Sequence, residues 1–266
     1  MLGYQIPDLF RTHESFVEFE KALKLLRENG FEGVEVNLNL DDEQLLARIG
    51  KALERSELKL AAVGTGMLYA VDKLSFTDSN PNKRFEAVSK VTKLIRFAAV
   101  HQAIVIIGLV RGIGSFESKE NVTALRECLK ACDAEASGCD GKIALEAINR
   151  YETKSLNTAE HVAEFIDDSG LKATGILLDT FHMNIEERSP ESTIRSYVDR
   201  LVHFHIADSN RWPPGYGHLD VREQLKILAE LDYSGWVSAE TLPRPSSLES
   251  VVATAEYLAK CNLSRG

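Results

Sequence analysis

The sequence has 266 residues, of which 44% are hydrophobic and 27% charged, and its formal net charge of −9 argues against a nucleic-acid binder, which needs a basic face. The longest apolar run, at 103–110, is too short to span a membrane, so we expect no membrane partner. The first residues contain no basic stretch leading into an apolar one, and the four cysteines form no Cys-x-x-Cys pair, so we expect a cytoplasmic protein with reduced thiols.

Short apolar strands and amphipathic helices alternate along the chain. Asn29-Gly30 is a helix stop, Asp41 or Asp42 is placed to cap the second helix, and Pro81 begins the third. The predicted strands are Leu2–Ile6, Gly33–Leu38, Leu58–Val63, Ala103–Gly108, Lys142–Ala147, Thr174–Asp179, Leu201–Ile206 and Gly235–Ala239. The predicted helices, with approximate ends, are Glu14–Glu28, Asp41–Glu54, Pro81–Val100, Glu117–Ser137, Thr158–Asp168, Pro190–Arg200, Val221–Leu231 and Ser247–Lys260.

This alternation predicts an α/β fold. The strands are apolar and β-branched throughout, which is typical of parallel strands covered by helices on one face and packed against each other on the other. Eight strand–helix units in this length match a (β/α)8 TIM barrel, which takes about 250 residues. A doubly wound open sheet is the alternative. The chain has no repeat, low-complexity segment or linker, so we expect a single domain over residues 1–266.

Acids and a histidine end four consecutive predicted strands. They are Glu146 on the fifth strand, Asp179 on the sixth, His205 on the seventh and Glu240 on the eighth. In a barrel of this type the active site is built at this end of the strands. Three carboxylates and one imidazole suit one divalent ion, Mn²⁺ first, with Co²⁺, Mg²⁺ or Zn²⁺ as alternatives, whereas a closed structural zinc site prefers cysteines. For any one of these residues taken alone, an ordinary role in an ion pair or as a helix cap explains its position as well as metal binding does.

A divalent ion in such a site would have a defined chemistry. It could chelate a carbonyl oxygen and the neighbouring hydroxyl of a sugar, which acidifies the C–H between them and stabilises the enediolate formed when the proton leaves. Glu146 and Glu240 could then act as a base–acid pair from different faces of the substrate. Return of the proton to the other face gives an epimerase, and return to the neighbouring carbon gives an aldose–ketose isomerase.

Four stretches carry a family resemblance. They resemble the sugar epimerases related to D-tagatose 3-epimerase, in the xylose-isomerase-like barrel superfamily, and the match is densest from Lys142 to Leu242. The stretches are Ala-Leu-Glu-Ala-Ile-Asn-Arg-Tyr-Glu (144–152), Leu-Leu-Asp-Thr-Phe-His-Met-Asn-Ile-Glu-Glu (177–187), His-Phe-His-Ile-Ala-Asp-Ser-Asn-Arg (203–211) and Ser-Ala-Glu-Thr (238–241).

The resemblance implies a metal-dependent epimerase that inverts the carbon next to the carbonyl, at a C3-type position. It implies that the four strand-end residues bind Mn²⁺ or a similar ion, that Glu146 and Glu240 are the catalytic pair, and that the chain forms a homodimer or homotetramer. The substrate contacts that it implies are His182, Arg211 and Glu152.

The stretches 64–70 and 107–112 look more like the branch of the family that acts on keto sugar acids, such as 5-keto-L-gluconate epimerase. Arg111 follows a strand end beside glycines, so we expect its guanidinium to bind a substrate carboxylate or phosphate. A structural ion pair is the alternative. Tyr69, with Trp212 and Phe181, is a candidate apolar wall for the sugar, and ordinary packing explains each of them equally well.

Two polar residues lie deeper in the predicted barrel. His203 shares a face with His205, and we expect a hydrogen-bonded core histidine rather than a ligand. Glu35 ends the second strand and is either a site residue or part of a structural pair.

Other functions remain alternatives to the epimerase. A hydroxypyruvate-type or aldose–ketose isomerase would use the same ion and carboxylates. A DNA repair endonuclease of the same superfamily would need several zinc ions and extra histidines on strands two to four, where this chain has Asn37, Thr65 and Arg111. A non-catalytic sugar-binding protein would leave the paired glutamates without a role.

Overall fold

The computed structural model describes residues 1–6, 13–38 and 42–261. Within these residues it contains eight strands and ten α-helices. The strands are β1 (Leu2–Ile6), β2 (Gly33–Asn37), β3 (Lys59–Gly64), β4 (Ile104–Ile107), β5 (Lys142–Glu146), β6 (Thr174–Asp179), β7 (Leu201–Ile206) and β8 (Trp236–Ala239). The helices are α1 (His13–Glu28), α2 (Glu43–Ser56), α3 (Gly66–Ala70), α4 (Pro81–Val100), α5 (Lys119–Gly138), α6 (Ala159–Ser169), α7 (Thr180–Glu186), α8 (Pro190–Tyr197), α9 (Val221–Glu230) and α10 (Ser247–Lys260).

The strands form a closed parallel barrel in sequence order. The closure between β1 and β8 pairs Gly3 with Ser238 and Tyr4 with Ala239. The register shifts between β2 and β3, at Val34 and Glu35, and between β6 and β7, at residues 176 and 177. The predicted (β/α)8 barrel is therefore confirmed. None of the described helices is both long and apolar enough to cross a membrane.

The helix boundaries follow local capping chemistry. Asp42 caps α2 by accepting hydrogen bonds from the backbone N–H groups of residues 44 and 45, as predicted for one of the two aspartates. The other, Asp41, lies outside the described residues. Two short helices were not predicted from the sequence, α3 and α7. Each begins at the end of a strand, and a helix of one or two turns has too little periodicity to be recognised.

Apolar side chains fill two regions. The larger core lies between the strands and the surrounding helices, and it includes Cys128 and Cys132, which are buried free thiols as expected. The smaller one lies inside the barrel and consists of Ala62, Ile104, Ile106, Ala144 and Leu177. Towards the carboxyl ends of the strands this interior becomes polar, and the site described below begins there.

Gly33 shows how closely the barrel interior is packed. A Cβ at this position would lie 2.5 Å from Trp236 Cη2 and 3.0 Å from the carbonyl oxygen of Lys59. We expect Gly33→Ala to lower the free energy of unfolding by about 1–3 kcal/mol, because overpacking displaces the strand or the ring. Urea denaturation measures this difference. Gly138→Ala is the matched control, since a Cβ there meets nothing within 4 Å; equal losses in both variants would contradict the packing argument.

Candidate active site

Four acidic and imidazole side chains converge at the carboxyl-terminal mouth of the barrel. Glu146 and Asp179 are the last residues of β5 and β6, His205 lies near the end of β7, and Glu240 follows β8 directly. One ligand atom from each lies within 4.8 Å of the others. The strand pairing explains part of this arrangement, since Asp179 and His205 are partners in register. The structure thus brings together the four residues predicted as metal ligands, which we call the strand-end cluster.

The strand-end cluster contains buried polar atoms that no protein group satisfies. Among the described residues, Asp179 Oδ2 and His205 Nδ1 are buried and make no hydrogen bond. His205 Nδ1 lies 3.9 Å from Asp179 Oδ2 and 3.3 Å from Glu240 Oε2. Burial raises the pKa of Asp179 to about 6, because its charge is poorly compensated there. Unpaired buried atoms are costly, and a divalent cation would offset that cost, so these oxygen and nitrogen donors fit such an ion.

Glu240 is held in place by its neighbours. Gln5 Nε2 donates a hydrogen bond to its Oε1 at 2.8 Å, and Arg211 Nη2 donates to its Oε2 at 3.0 Å. Burial raises the pKa of Glu240, but the charges of Arg211 and His205 outweigh it and bring the pKa well below its usual range. This setting favours the carboxylate form of Glu240, which can coordinate a cation or accept a proton.

Glu146 joins the cluster from β5, and Glu240 joins it from beyond β8, with β6 and β7 between them. Glu146 Oε1 lies 3.5 Å from His182 Nε2. A Cβ on Gly108 would lie 2.8 Å from Glu146 Oε2, so the glycine at the end of β4 leaves the space that this carboxylate occupies. A cavity opens at this mouth of the barrel, and Glu146 at the end of β5 and Glu240 directly after β8 both line it.

His182, on α7, is buried and its ring orientation is set by one amide. Asn149 Nδ2 donates to His182 Nδ1 at 2.7 Å and to Glu152 Oε1 at 3.0 Å, while Asn149 Oδ1 accepts from the backbone N–H of Tyr151. The amide therefore has one orientation, and His182 Nδ1 accepts. The remaining N–H of His182, on Nε2, faces the cavity beside Glu146.

Arg211 reaches the cavity from the loop after β7. Its backbone has a φ of +61°, which is uncommon for a residue other than glycine. The carboxylate of Asp208 stabilises this loop by accepting hydrogen bonds from three of its backbone N–H groups. The Arg211 guanidinium lies 5.1 Å from the centroid of the Phe181 ring, and its Nη1 lies 3.4 Å from Glu152 Oε1. The predicted substrate contacts His182, Arg211 and Glu152 thus form one group on the same side of the cavity.

Arg111 faces away from the cavity, so in this structure its guanidinium is not placed for the predicted contact with a substrate carboxylate or phosphate. The residue ends a single 3-10 turn, Leu109–Arg111, which directs the side chain behind β5. Its guanidinium is fully buried and donates to the carbonyl oxygen of Glu146, to Thr153 Oγ1 at 3.2 Å and to the carbonyl oxygen of Ser155 at 3.0 Å. Burial lowers the pKa of Arg111 to about 10. These hydrogen bonds stabilise the loop after β5, which follows Glu146.

This geometry leads to a prediction about substrate charge. We expect Arg111→Met to lower kcat/KM by the same factor on a keto sugar acid and on the matching neutral ketose, because the side chain acts only through the β5 loop. Steady-state kinetics on the two compounds give the two factors. A markedly greater loss on the acid would contradict the buried position of the guanidinium.

The apolar wall of the cavity also differs from the prediction. Tyr69 is half-buried on α3 and is not among the described residues that line the cavity. The apolar lining comes instead from Ile106, Leu109 and Ile148. Gln5 and Glu35 line the floor. Gln5 was not predicted, and its only signal in the sequence is a polar side chain in a short, otherwise apolar strand.

Comparison with known families identifies the barrel. A model of the xylose isomerase-like TIM barrel family matches residues 23–261. The chain belongs to the xylose isomerase-like TIM barrel family. The match includes every residue of the strand-end cluster, so the cluster belongs to the part of the chain that this family defines.

Relatives of this xylose isomerase-like barrel include named epimerases. D-psicose 3-epimerase from Enterocloster bolteae is 42% identical over 114 residues, which are 43% of this chain and 36% of that protein. L-ribulose 3-epimerase from Methylomonas sp. is 29% identical over 225 residues, which are 83% of this chain and 77% of that protein. The matched segments span less than half the length of the D-psicose 3-epimerases.

A solved structure shows the same fold over the whole chain. The apo structure of 3-keto-D-glucoside 4-epimerase from Escherichia coli superimposes with a TM-score of 0.83 at 22% sequence identity, covering 98% of each chain.

Proposed function

We propose that this protein is a metal-dependent epimerase that inverts the carbon next to the carbonyl group of a keto sugar. The observation that carries the proposal is the pair of buried, unsatisfied ligand atoms, Asp179 Oδ2 and His205 Nδ1, flanked by Glu146 and Glu240. The names of the relatives, D-psicose 3-epimerase and L-ribulose 3-epimerase, support the same reaction class.

The proposed reaction moves one proton at a carbon that is acidified by its neighbouring carbonyl. A divalent ion held by the strand-end cluster would supply positive charge that stabilises the negative charge developing on the substrate oxygens. One of the two glutamates, Glu146 or Glu240, removes the proton from one face and leaves an enediolate. The other glutamate enters the step protonated and delivers its proton to the opposite face, so that the configuration inverts. Proton exchange with water then returns both carboxyl groups to their starting states.

The remaining polar residues hold the sugar. His182 presents its Nε2–H, and Arg211 presents a guanidinium whose position is set by Glu152 and Glu240. Glu152 is half-buried and can accept a hydrogen bond from a sugar hydroxyl. These contacts orient the C–H between the two glutamates, which is the positioning that an efficient proton transfer requires.

The charge of the cavity favours a neutral keto sugar over a keto sugar acid. Among its described lining residues, Arg211 is the one arginine or lysine, and it is already paired with acids. The acidic lining residues are Glu35, Glu146, Glu152 and Glu240. Even with a divalent ion bound, these four acids outnumber the positive charges, so a substrate carboxylate would meet net negative charge there. The arginine predicted to receive that carboxylate is buried elsewhere. We therefore propose a neutral ketose as the preferred substrate and a keto sugar acid as the alternative.

A substrate screen in deuterated water tests the proposal. The purified protein with Mn²⁺ is incubated with ketohexoses, ketopentoses, 3-keto-glycosides and keto sugar acids, and the products are analysed by proton NMR. An epimerase gives a ketone product with deuterium at the inverted carbon. An aldose product would assign the isomerase reaction instead, and the absence of exchange with every compound would contradict the proposal.

A further inference from the structure

Glu35 on β2 connects two members of the strand-end cluster without being one of them. The side chain is fully buried and accepts three hydrogen bonds. Gln5 Nε2 donates to Oε1 at 2.8 Å, and the Nε2 atoms of His203 and His205 both donate to Oε2 at 3.0 Å. The predicted core role of His203 as a hydrogen-bonded histidine agrees with this arrangement.

The first connection acts on His205. An ionised carboxylate only accepts hydrogen bonds, so the bond to Glu35 requires the proton of His205 to be on Nε2. When the ring loses its second proton to become a metal ligand, this leaves the lone pair on Nδ1, which is the atom without a hydrogen-bond partner and the atom that faces Asp179 and Glu240. Glu35 thereby fixes both the tautomer and the direction of the imidazole.

The second connection acts on Glu240 through Gln5. The Gln5 Nε2 amide has two hydrogens, and it lies 2.8 Å from Glu35 Oε1 and 2.8 Å from Glu240 Oε1. Gln5 and Glu35 are register partners across β1 and β2, so the position of the amide is determined by the strand pairing. Glu35 therefore orients His205 on β7 directly, and it orients Glu240 after β8 through the amide of Gln5.

A second cation site at Glu35, His203 and His205 is the competing explanation, because these three residues also offer clustered ligand atoms. Both Nε2 atoms already donate to the same carboxylate oxygen at 3.0 Å. An Nε2 that carries a proton has no lone pair for a cation. The hydrogen-bonded arrangement is therefore the one that these contacts support.

We propose that Glu35 is a positioning residue that presets His205 and, through Gln5, Glu240 for binding a divalent cation. The inference rests on the metal site of the proposed function and extends it to a residue outside the four ligands. It requires no contact between Glu35 and the substrate or the ion.

Titration of the metal-free protein with Mn²⁺ alone, followed by calorimetry, separates this inference from the function itself. We expect one ion per wild-type chain and a Kd that is about 10–100-fold higher in Glu35→Gln. The glutamine has one oxygen in place of two, so its NH2 group opposes either the two imidazole N–H groups at the Oε2 position or the Gln5 amide at the Oε1 position. His203→Gln is the matched control, which replaces the neighbouring imidazole by an amide but keeps the Glu35–His205 bond, and its Kd should stay close to the wild-type value.

The outcomes are distinct. A wild-type protein that binds no Mn²⁺ would overturn the proposed function, whereas wild-type binding with an unchanged Kd in Glu35→Gln would overturn only the inference. Binding of two ions per chain would favour the competing site. If Glu35→Gln does not fold, ¹⁵N NMR of histidine-labelled wild-type protein with Zn²⁺ gives the answer, because we expect a protonated Nε2 on His205; a protonated Nδ1 on His205 would refute the positioning role.

Discussion

Removal of divalent metal is expected to reduce the epimerase rate by at least about 10³-fold, because a metal ion contributes several kcal/mol of charge stabilisation in reactions of this kind. The strand-end cluster has three carboxylates and one imidazole, and Arg211 is the one arginine or lysine among the described residues that line the cavity. The measurement is the rate after dialysis against a chelator and again after addition of Mn²⁺. We expect the second rate to return to the original value.

Two controls make this result interpretable. Circular dichroism of the dialysed protein shows whether the barrel is intact, since a rate lost through unfolding says nothing about the site. Asp179→Asn keeps both glutamates but removes one ligand charge, and we expect it to require more Mn²⁺ for half-maximal activity. Full activity in metal-free, folded protein would rule out a catalytic role for the ion.

Glu146→Gln and Glu240→Gln, assayed at saturating Mn²⁺, are each expected to lower kcat for epimerisation by about 10²–10⁴-fold, the usual contribution of a positioned acid or base. Glutamine preserves the shape of the side chain but does not take up a proton. Since either glutamate also faces the cation, metal occupancy has to be confirmed for each variant by titration.

Proton exchange with solvent distinguishes the two glutamates. In Glu240→Gln the remaining Glu146 can still exchange the proton of one epimer, and in Glu146→Gln the remaining Glu240 can still exchange that of the other. We therefore expect each variant to incorporate deuterium into a different epimer while forming almost none of the opposite one. Loss of exchange from the same epimer in both variants would contradict assignment to two faces.

The elements that determine the fold were readable from the sequence because their signals are local. Each strand is a short apolar run bounded by turn residues, and the helix stop at Asn29-Gly30 and the cap at Asp42 lie where the periodicity changes. The strand-end cluster could also be predicted from these local signals. A parallel barrel gathers the ends of consecutive strands at one mouth, so Glu146 and His205 could be placed together without knowledge of any side-chain contact.

Contacts that depend on side-chain direction could not be read in this way. Arg111 occupies a strand exit, as an active-site residue would, but a single 3-10 turn directs its guanidinium to the backbone behind β5. Tyr69 follows β3 in sequence, yet the short helix α3 carries it away from the lining. Gln5 and Glu35 meet because β1 closes the barrel between β2 and β8, and neither residue has a motif of its own.

The sugar-acid expectation depends on the same kind of contact. It rested on sequence likeness in strands three and four and on one arginine, whereas the charge of a cavity is a sum over residues from the whole barrel. Arg111 does not line the cavity, and the charge of Arg211 is compensated by Glu152 and Glu240. The described lining residues therefore carry more negative than positive charge. A neutral keto sugar is the substrate class that fits this balance.

The most direct test of the metal site is anomalous diffraction from crystals grown with Mn²⁺. We expect one anomalous peak within bonding distance of Glu146, Asp179, His205 and Glu240, with His205 coordinating through Nδ1. No peak at this mouth of the barrel, or a peak bound by other side chains while these four lie apart, would contradict the account.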